Sequence, residues 1–401
     1  MKLNAKTQLQ ELVWGLLARV VNVLVPVQKG HWIFASDYGR QCREGSKYLL
    51  EYMLREHSDY HCTFVTRNSD VLKNLSAKGV PCVMNFSWKG ILSIARAEAV
   101  FFTQYCDDVY FAYRKPHRKY FFLIHGMPYK RAFNAVPDAF KQKYARKVSA
   151  FRKFGAAFRQ WLVLAFTMGD VKMVSCCSEF NQQYMPAFFG TDTSYPILGM
   201  PRNDALFQEW RMKEEQWIDT DGKFVVTYMP THRAYGKGKV TPTPFVDRPD
   251  IQQWMADNKV VFVMKNHPNM VSALSDVKEN PVIRDISKMS IDPQVAIWHS
   301  DVLVTDYSSV WMDYLLLNRP ILFYYYDNYE EEDEGLLFSL KDDCPGHECS
   351  SEDELFALIR QCRENPEAMR PSYDQIRKYH KFRDGLSCQR HFEAISQDLA
   401  K

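Results

Sequence analysis

The sequence predicts an α/β protein made of two doubly wound halves, each organised on a mostly parallel sheet. Short apolar runs alternate with helical patterns over residues 31–104, and again over residues 224–327, which is the signature of successive βαβ units. A chain of 401 residues also exceeds what one hydrophobic core usually supports. The charged, polar segment 210–221 closes on Asp221-Gly222, a turn signal that marks the joint between the halves.

Composition narrows the class. Hydrophobic residues at 46% and charged residues at 25% are globular values. A net charge of +3 is too small to argue for a nucleic-acid partner, and none is expected. The ten cysteines are scattered rather than framed, and no cleavable leader pattern opens the chain, so reduced thiols in the cytoplasm are the simpler expectation. Cys344-Pro-Gly-His-Glu-Cys349 could be half a zinc site, but Pro345-Gly346 is a turn signal and no second close cysteine pair completes a set. No metal site is expected.

Residues 9–27 read as a broadly apolar helix, interrupted by Gln10, Glu11, Arg19 and Asn22 and stopped by Pro26, too polar to span a bilayer. It either packs on the domain or lies in a membrane interface, with packing slightly favoured. Strands follow at 31–36, 60–67, 80–84, 99–104 and 120–124, with helices at 46–55, 71–78 and 88–97 between the first four. The 120–124 strand ends abruptly at His125-Gly-Met-Pro-Tyr-Lys130. Over residues 141–159, Lys141, Lys143, Arg146, Lys147, Arg152, Lys153 and Arg159 occur with no acid among them, and Val148, Phe151, Phe154 and Phe158 interleave at helical spacing. Such a stretch suits an anionic membrane surface or a polyanionic acceptor, or else is a solvated helix face.

A strand at 172–176 and a loop at Gly199-Met-Pro-Arg-Asn-Asp204 complete the first half. In the second, a strand at 224–229 runs into Pro230-Thr-His-Arg233, a helix covers 251–258, and a strand at 260–265 runs into Asn266-His-Pro268. Residues 301–327 then read as strand, tight loop, helix and strand, with Ser308 and Ser309 placed to cap the helix. A helix start with free N–H groups and hydroxyls just after a buried strand can hold phosphate, although many such ends are ordinary capped helices.

Four strand ends therefore carry chemically capable residues: His125, Arg233, His267 and the Ser308/Ser309 pair. Ligands of open α/β sheets bind at the carboxyl ends of the strands, so these can converge. A neutral imidazole at His125 could take a proton from an attacking hydroxyl, and Gly126 allows close approach. His267, with Arg233 and Lys265, suits donation to phosphoryl oxygens, and Pro268 fixes that turn.

The ordered set His125-Gly-x-Pro-x-Lys130, Gly199-x-Pro-Arg-Asn-Asp204, Pro230-Thr-x-Arg233, Lys265-x-His-Pro268, Thr305-Asp-Tyr-Ser-Ser309 with Asp313-Tyr314, Arg319-Pro320, Tyr326-Asp327, Pro345-Gly346 and Asp384-Gly385 resembles the CDP-glycerol glycerophosphotransferase family, the teichoic-acid primases and polymerases and related capsule polymerases. The chain differs from the usual family pattern at Met127, Tyr129 and Arg319 and in the acidic run 330–334. The resemblance implies a GT-B fold, with two Rossmann-like domains facing each other across a cleft and the nucleotide held mainly by the second. It implies transfer of a polyol phosphate from a CDP-activated donor to an acceptor hydroxyl, releasing CMP, at the cytoplasmic face of a bacterial membrane. No cofactor is expected, and CDP-glycerol enters as the donor substrate.

The resulting expectation is a helix at 1–28, an acceptor domain at 29–214, a donor domain at 215–385 and a C-terminal helix at 386–401. His125, His267 and Arg233 are the expected catalytic residues; Ser308, Ser309, Thr305, Asp306, Lys265 and Pro268 would hold the donor phosphates; Gly126, Lys130, Arg202, Asp313 and Asp327 would serve the acceptor or support the site. The alternatives are a GT-B glycosyltransferase using a nucleotide sugar and a non-catalytic module that binds polyanions at a membrane.

Overall fold

The computed structural model describes residues 5–131, 155, 157–164, 166–215, 217–220, 222–231, 242–266, 280–327, 335–340 and 343–401. Two six-stranded sheets organise it. The first contains β1 (His31–Phe34), β2 (His61–Thr66), β3 (Cys82–Met84), β4 (Ala99–Phe102), β5 (Lys119–Phe122) and β6 (Val171–Val174), in the order β3-β2-β1-β4-β5-β6. The second contains β7 (Phe224–Tyr228), β8 (Val260–Met264), β9 (Ile283–Asp285), β10 (Val302–Thr305), β11 (Ile321–Tyr324) and β12 (His347–Cys349), in the order β12-β11-β10-β7-β8-β9. Each pairing in both sheets is parallel among the described residues. The two orders are the same doubly wound order, so each half has a switch point, at β1/β4 and at β7/β10.

The central strands are legible because helices cover both faces of a parallel sheet, which turns each strand into a continuous apolar run. β1, β4, β8, β10 and β11 are buried at every position. Helices α1 (Ala5–Leu24), α2 (Glu44–Glu56), α3 (Ser69–Ala77) and α4 (Trp88–Arg96) belong to the first half. Ser87 caps α4 and Asn68 caps α3 through their side chains, which sets where each helix begins.

The cysteine stretch weighed as half a metal site ends in β12. Cys349 is buried on that strand, and a Cβ on Gly346 would lie 2.3 Å from the Ile321 carbonyl oxygen, so only glycine lets the chain pass β11 there. The helix Ser387–Leu399 leaves the second half and packs on the first: His57 stacks on Phe392 at 3.6 Å, and Lys119 Nζ lies 3.1 Å from an Asp398 carboxylate oxygen.

α1 packs on the first half by one face, the alternative slightly favoured from sequence, and leaves its other face apolar and exposed. One face is packed, with Ala18 and Val21 buried and the Gly15 carbonyl accepting from the Tyr113 hydroxyl at 3.0 Å. A Cβ on Gly15 would come within 2.7 Å of Leu162, so close approach of the 160–164 segment requires glycine there. The other face leaves Leu12, Val13, Leu16, Leu17, Val20, Val23 and Leu24 exposed, with Phe158 and Trp161 exposed on the segment packed against α1. Of the seven basic residues of 141–159, Arg159 is not a free cation: it donates to both Glu11 carboxylate oxygens, at 3.0 and 3.1 Å, and to the Tyr110 hydroxyl at 2.6 Å. The other six, with Val148, Phe151 and Phe154, lie outside the described residues.

Candidate active site

The carboxyl ends of β1, β4, β5, β8 and β10 converge where the halves meet. His125 follows β5 by two apolar residues and is exposed to the cleft. Its Nδ1 lies 3.3 Å from the Thr103 carbonyl oxygen, which can only accept, so Nδ1 carries the proton and Nε2 keeps the basic lone pair. Thr103 is itself held. Asp108 accepts from the Thr103 N–H at 2.8 Å, the Gln104 N–H at 2.9 Å and the Tyr38 N–H at 2.6 Å, which pins the loops after β4 and β1 around the imidazole. Burial pushes the Asp108 carboxyl up to about 6 against those three hydrogen bonds.

Protein crowds His125 on all sides but its cleft face, and this loss of solvation, followed by Arg202, pushes its imidazole down to about 4. The wetted face moderates the burial effect, so the direction carries the argument: the ring is neutral at neutral pH. It is a base in the form needed to accept a proton.

Arg202 ties this strand end to the second half. Its guanidinium donates to the His125 carbonyl and to Asp313 on the helix Val310–Leu315. Asn203 donates to the other Asp313 oxygen at 3.0 Å, and Gln294 donates to Asn203 at 2.7 Å. Arg202 and Asp313 are both buried, so the pair is a clamp between the halves. Gly126 stands at the contact: a Cβ there would lie 2.7 Å from Ser309 Oγ and 3.7 Å from Arg202. Lys130 forms an antiparallel bridge with Leu336, extended by Arg131 N–H to the Gly335 carbonyl at 3.0 Å and Leu337 N–H to the Tyr129 carbonyl at 2.9 Å.

Ser309 occupies the N-cap position in helical conformation, and its side chain makes no capping bond. The Ser308 hydroxyl reaches the Val310 N–H only at 3.5 Å. Capping by either serine, expected from sequence, is therefore marginal or missing, which leaves both hydroxyls able to meet a ligand. Lys265 is half-buried at the end of β8; burial pushes its ammonium below the usual range, and Asp292 opposes the shift. The Asp327 carbonyl accepts from the Tyr307 hydroxyl at 3.3 Å at the end of β11.

Thr305 and Asp306 sit differently from the other expected phosphate ligands. Both are buried with 0% exposure; the Thr305 hydroxyl donates to the Met229 carbonyl at 2.8 Å, and Asp306 accepts from the Thr231 N–H at 2.7 Å. In this arrangement they hold the β7 and β10 loops beneath Ser308 and Ser309. Of the positions that depart from the family pattern, Met127, Tyr129 and Arg319 are packing positions, and the acidic run 330–334 lies outside the described residues. Met127 and Tyr129 are buried, Tyr129 edge-on to Trp311 at 5.6 Å, and Arg319 donates to the Trp298 and Ser300 carbonyls. Arg233, His267 and Pro268 lie outside the described residues. Sequence reasoning missed Thr103 and Arg43, which bear on His125, and Asp108 and Glu44, which hold the Thr103-Gln104 segment beside it; strand order alone brings them together.

Two doubly wound sheets that meet through their carboxyl strand ends are the GT-B arrangement. The chain belongs to the CDP-Glycerol:Poly(glycerophosphate) glycerophosphotransferase family, whose sequence model matches residues 17–397. It is 27% identical over 376 residues to a teichoic acid glycerol-phosphate transferase of Staphylococcus aureus, covering 90% of this chain and 92% of that one. It is 26% identical over 334 residues to a teichoic acid poly(glycerol phosphate) polymerase of Staphylococcus epidermidis and 25% identical over 373 residues to one of Bacillus subtilis. The chain spans only 43% and 47% of the length of those two polymerases. Among solved structures, the wall teichoic acid polymerase TagF superposes with a TM-score of 0.71 at 20% identity, over 98% of this chain and 93% of that one. That likeness establishes the fold.

Proposed function

We propose that this chain transfers glycerol phosphate, or a similar polyol phosphate, from a CDP-activated donor to a hydroxyl of a membrane-linked glycan or polymer, in teichoic-acid-like or capsule synthesis. The observation that carries the proposal is the contact of Gly126, beside the neutral His125, with Ser309 of the second half, clamped by Arg202 and Asp313, in a chain of this family. In this reading Nε2 of His125 takes the proton of the acceptor hydroxyl. The freed oxygen bonds to the donor's β-phosphorus as the bridging P–O bond breaks, and CMP leaves with that bond's electron pair. Ser308 and Ser309, Lys265, Arg233 and His267 hold and neutralise the pyrophosphate, so that positioning and electrostatics supply most of the acceleration. Protein cations serve where a metal would otherwise be needed, and no cofactor enters the scheme.

Incubation with CDP-glycerol, CDP-ribitol and a panel of nucleotide sugars should release nucleotide from a CDP-polyol. Release only from a nucleotide sugar would instead favour sugar transfer. Replacing Ser308 and Ser309 together by Ala is expected to weaken CDP-glycerol binding about ten- to hundredfold, the worth of one or two hydrogen bonds to a charged group. Unchanged affinity in a calorimeter rejects the cradle.

The reading also places the protein peripherally on the cytoplasmic face of the membrane, on an anionic surface. No helix among the described residues is long and apolar enough to cross a membrane. Contact would come instead from the exposed leucines and valines of α1 with Phe158 and Trp161, aided by the neighbouring basic stretch. Flotation with phosphatidylglycerol vesicles tests this. The wild type should float and Leu16→Glu with Val20→Glu should stay down; equal flotation of both refutes the surface.

A further inference from the structure

Glu44, the first residue of α2, has a positive φ of +57°, a left-handed conformation that a residue with a side chain rarely adopts and that glycine would adopt without strain. Its carboxylate side chain is 14% exposed. The neighbouring Arg43 does not neutralise it closely: one guanidinium nitrogen is 2.8 Å from Asp37, and another stays 3.9 Å from Glu44. The Gln104 amide donates to its two oxygens at 3.2 and 3.4 Å, and the Thr103 hydroxyl also bears on it. A carboxylate offers about four acceptor sites, so capacity remains. Burial pushes the carboxyl above its ordinary value, with Arg43 and Arg202 opposing.

The fold sets this group beside the reacting centre. A Cβ on Gly45 would lie 3.0 Å from Leu123 Cβ, which places the start of α2 against the end of β5, two residues before His125. Gln104, which donates to Glu44, follows Thr103, whose carbonyl accepts from His125. Arg43, Arg202 and Lys130 all bear on the His125 imidazole, so Glu44 is a carboxylate set into a cationic neighbourhood. The cations attract phosphate, while a carboxylate repels phosphate and accepts from hydroxyls.

We propose that Glu44 is the acceptor-binding residue, accepting hydrogen bonds from a hydroxyl of the acceptor's terminal polyol and so presenting the attacking hydroxyl to His125. The assignment rests on the polyol-phosphate transfer reading. From the start of α2 the carboxylate reaches Gln104, next to the Thr103 carbonyl that faces the His125 ring.

The test uses the whole protein, CDP-glycerol and a short synthetic poly(glycerol phosphate) oligomer with a free terminal diol. Glu44→Gln should raise the KM for the oligomer about ten- to hundredfold, the loss of one hydrogen bond to a charge, with the CDP-glycerol Kd unchanged. Glu44→Gly should raise the oligomer KM equally while raising the thermal midpoint, because glycine relieves the positive φ. A more stable protein with a poor acceptor KM separates binding from a structural role. An unchanged oligomer KM in Glu44→Gln, or a donor Kd that rises in parallel, overturns the assignment. Wild-type protein that releases no CMP from CDP-glycerol overturns the transfer reading and the assignment with it.

Discussion

Replacing His125 by Ala is expected to lower turnover about 10²- to 10⁴-fold, the usual worth of a positioned general base, while CDP-glycerol binding stays within about twofold. The reason is the division of labour across the cleft: His125 stands on the first half, and the hydroxyls proposed to hold the donor stand on the second. The pH profile supplies an independent check. The imidazole is pushed down to about 4, so its basic form persists as pH falls through the ordinary histidine range and is lost only as pH approaches the lowered value. The wild-type kcat/KM should therefore show no acid limb near about 6.5, the unperturbed histidine value. A limb there, or near-normal turnover in the Ala variant, removes His125 from the role of base.

Asp313→Ala is expected to cost about 3–5 kcal/mol of stability, because it leaves the Arg202 guanidinium buried without its carboxylate. The loss should exceed that of an exposed pair such as Lys213–Glu209, where screening leaves little to lose. The urea midpoint reads the effect directly, and a shift equivalent to less than about 1 kcal/mol would show that the clamp is not what joins the halves. Turnover should also fall at temperatures where the variant is folded, since Arg202 orients the His125 carbonyl from the same guanidinium.

How much of the molecule could be read in advance depended on burial. The central strands were readable because both faces are covered. β9 and β12 were not: they are three-residue edge strands, each with a single buried residue, too short and too polar for periodicity to register. The chemically capable strand ends at His125 and Ser308/Ser309 were readable because a polar residue directly after an apolar run stands out. Roles within the Thr305–Ser309 motif were not, since neighbouring residues of one turn point to opposite surroundings. Thr305 and Asp306 turn inward to backbone partners, and Ser309 turns toward Gly126.

The sequence by itself determined the two-sheet α/β plan and the family, because these follow from local apolar runs and from motifs a few residues long. Only the tertiary structure decided which residues meet. Arg202 and Asp313 lie 111 positions apart, and Gln104 and Glu44 lie 60 apart. Such pairs are set by strand order and by the docking of one half on the other, neither of which leaves a periodic trace in the chain. The left-handed backbone of Glu44, next to the close approach of Gly45 to Leu123, likewise runs against the residue's own preference and leaves no trace in the sequence.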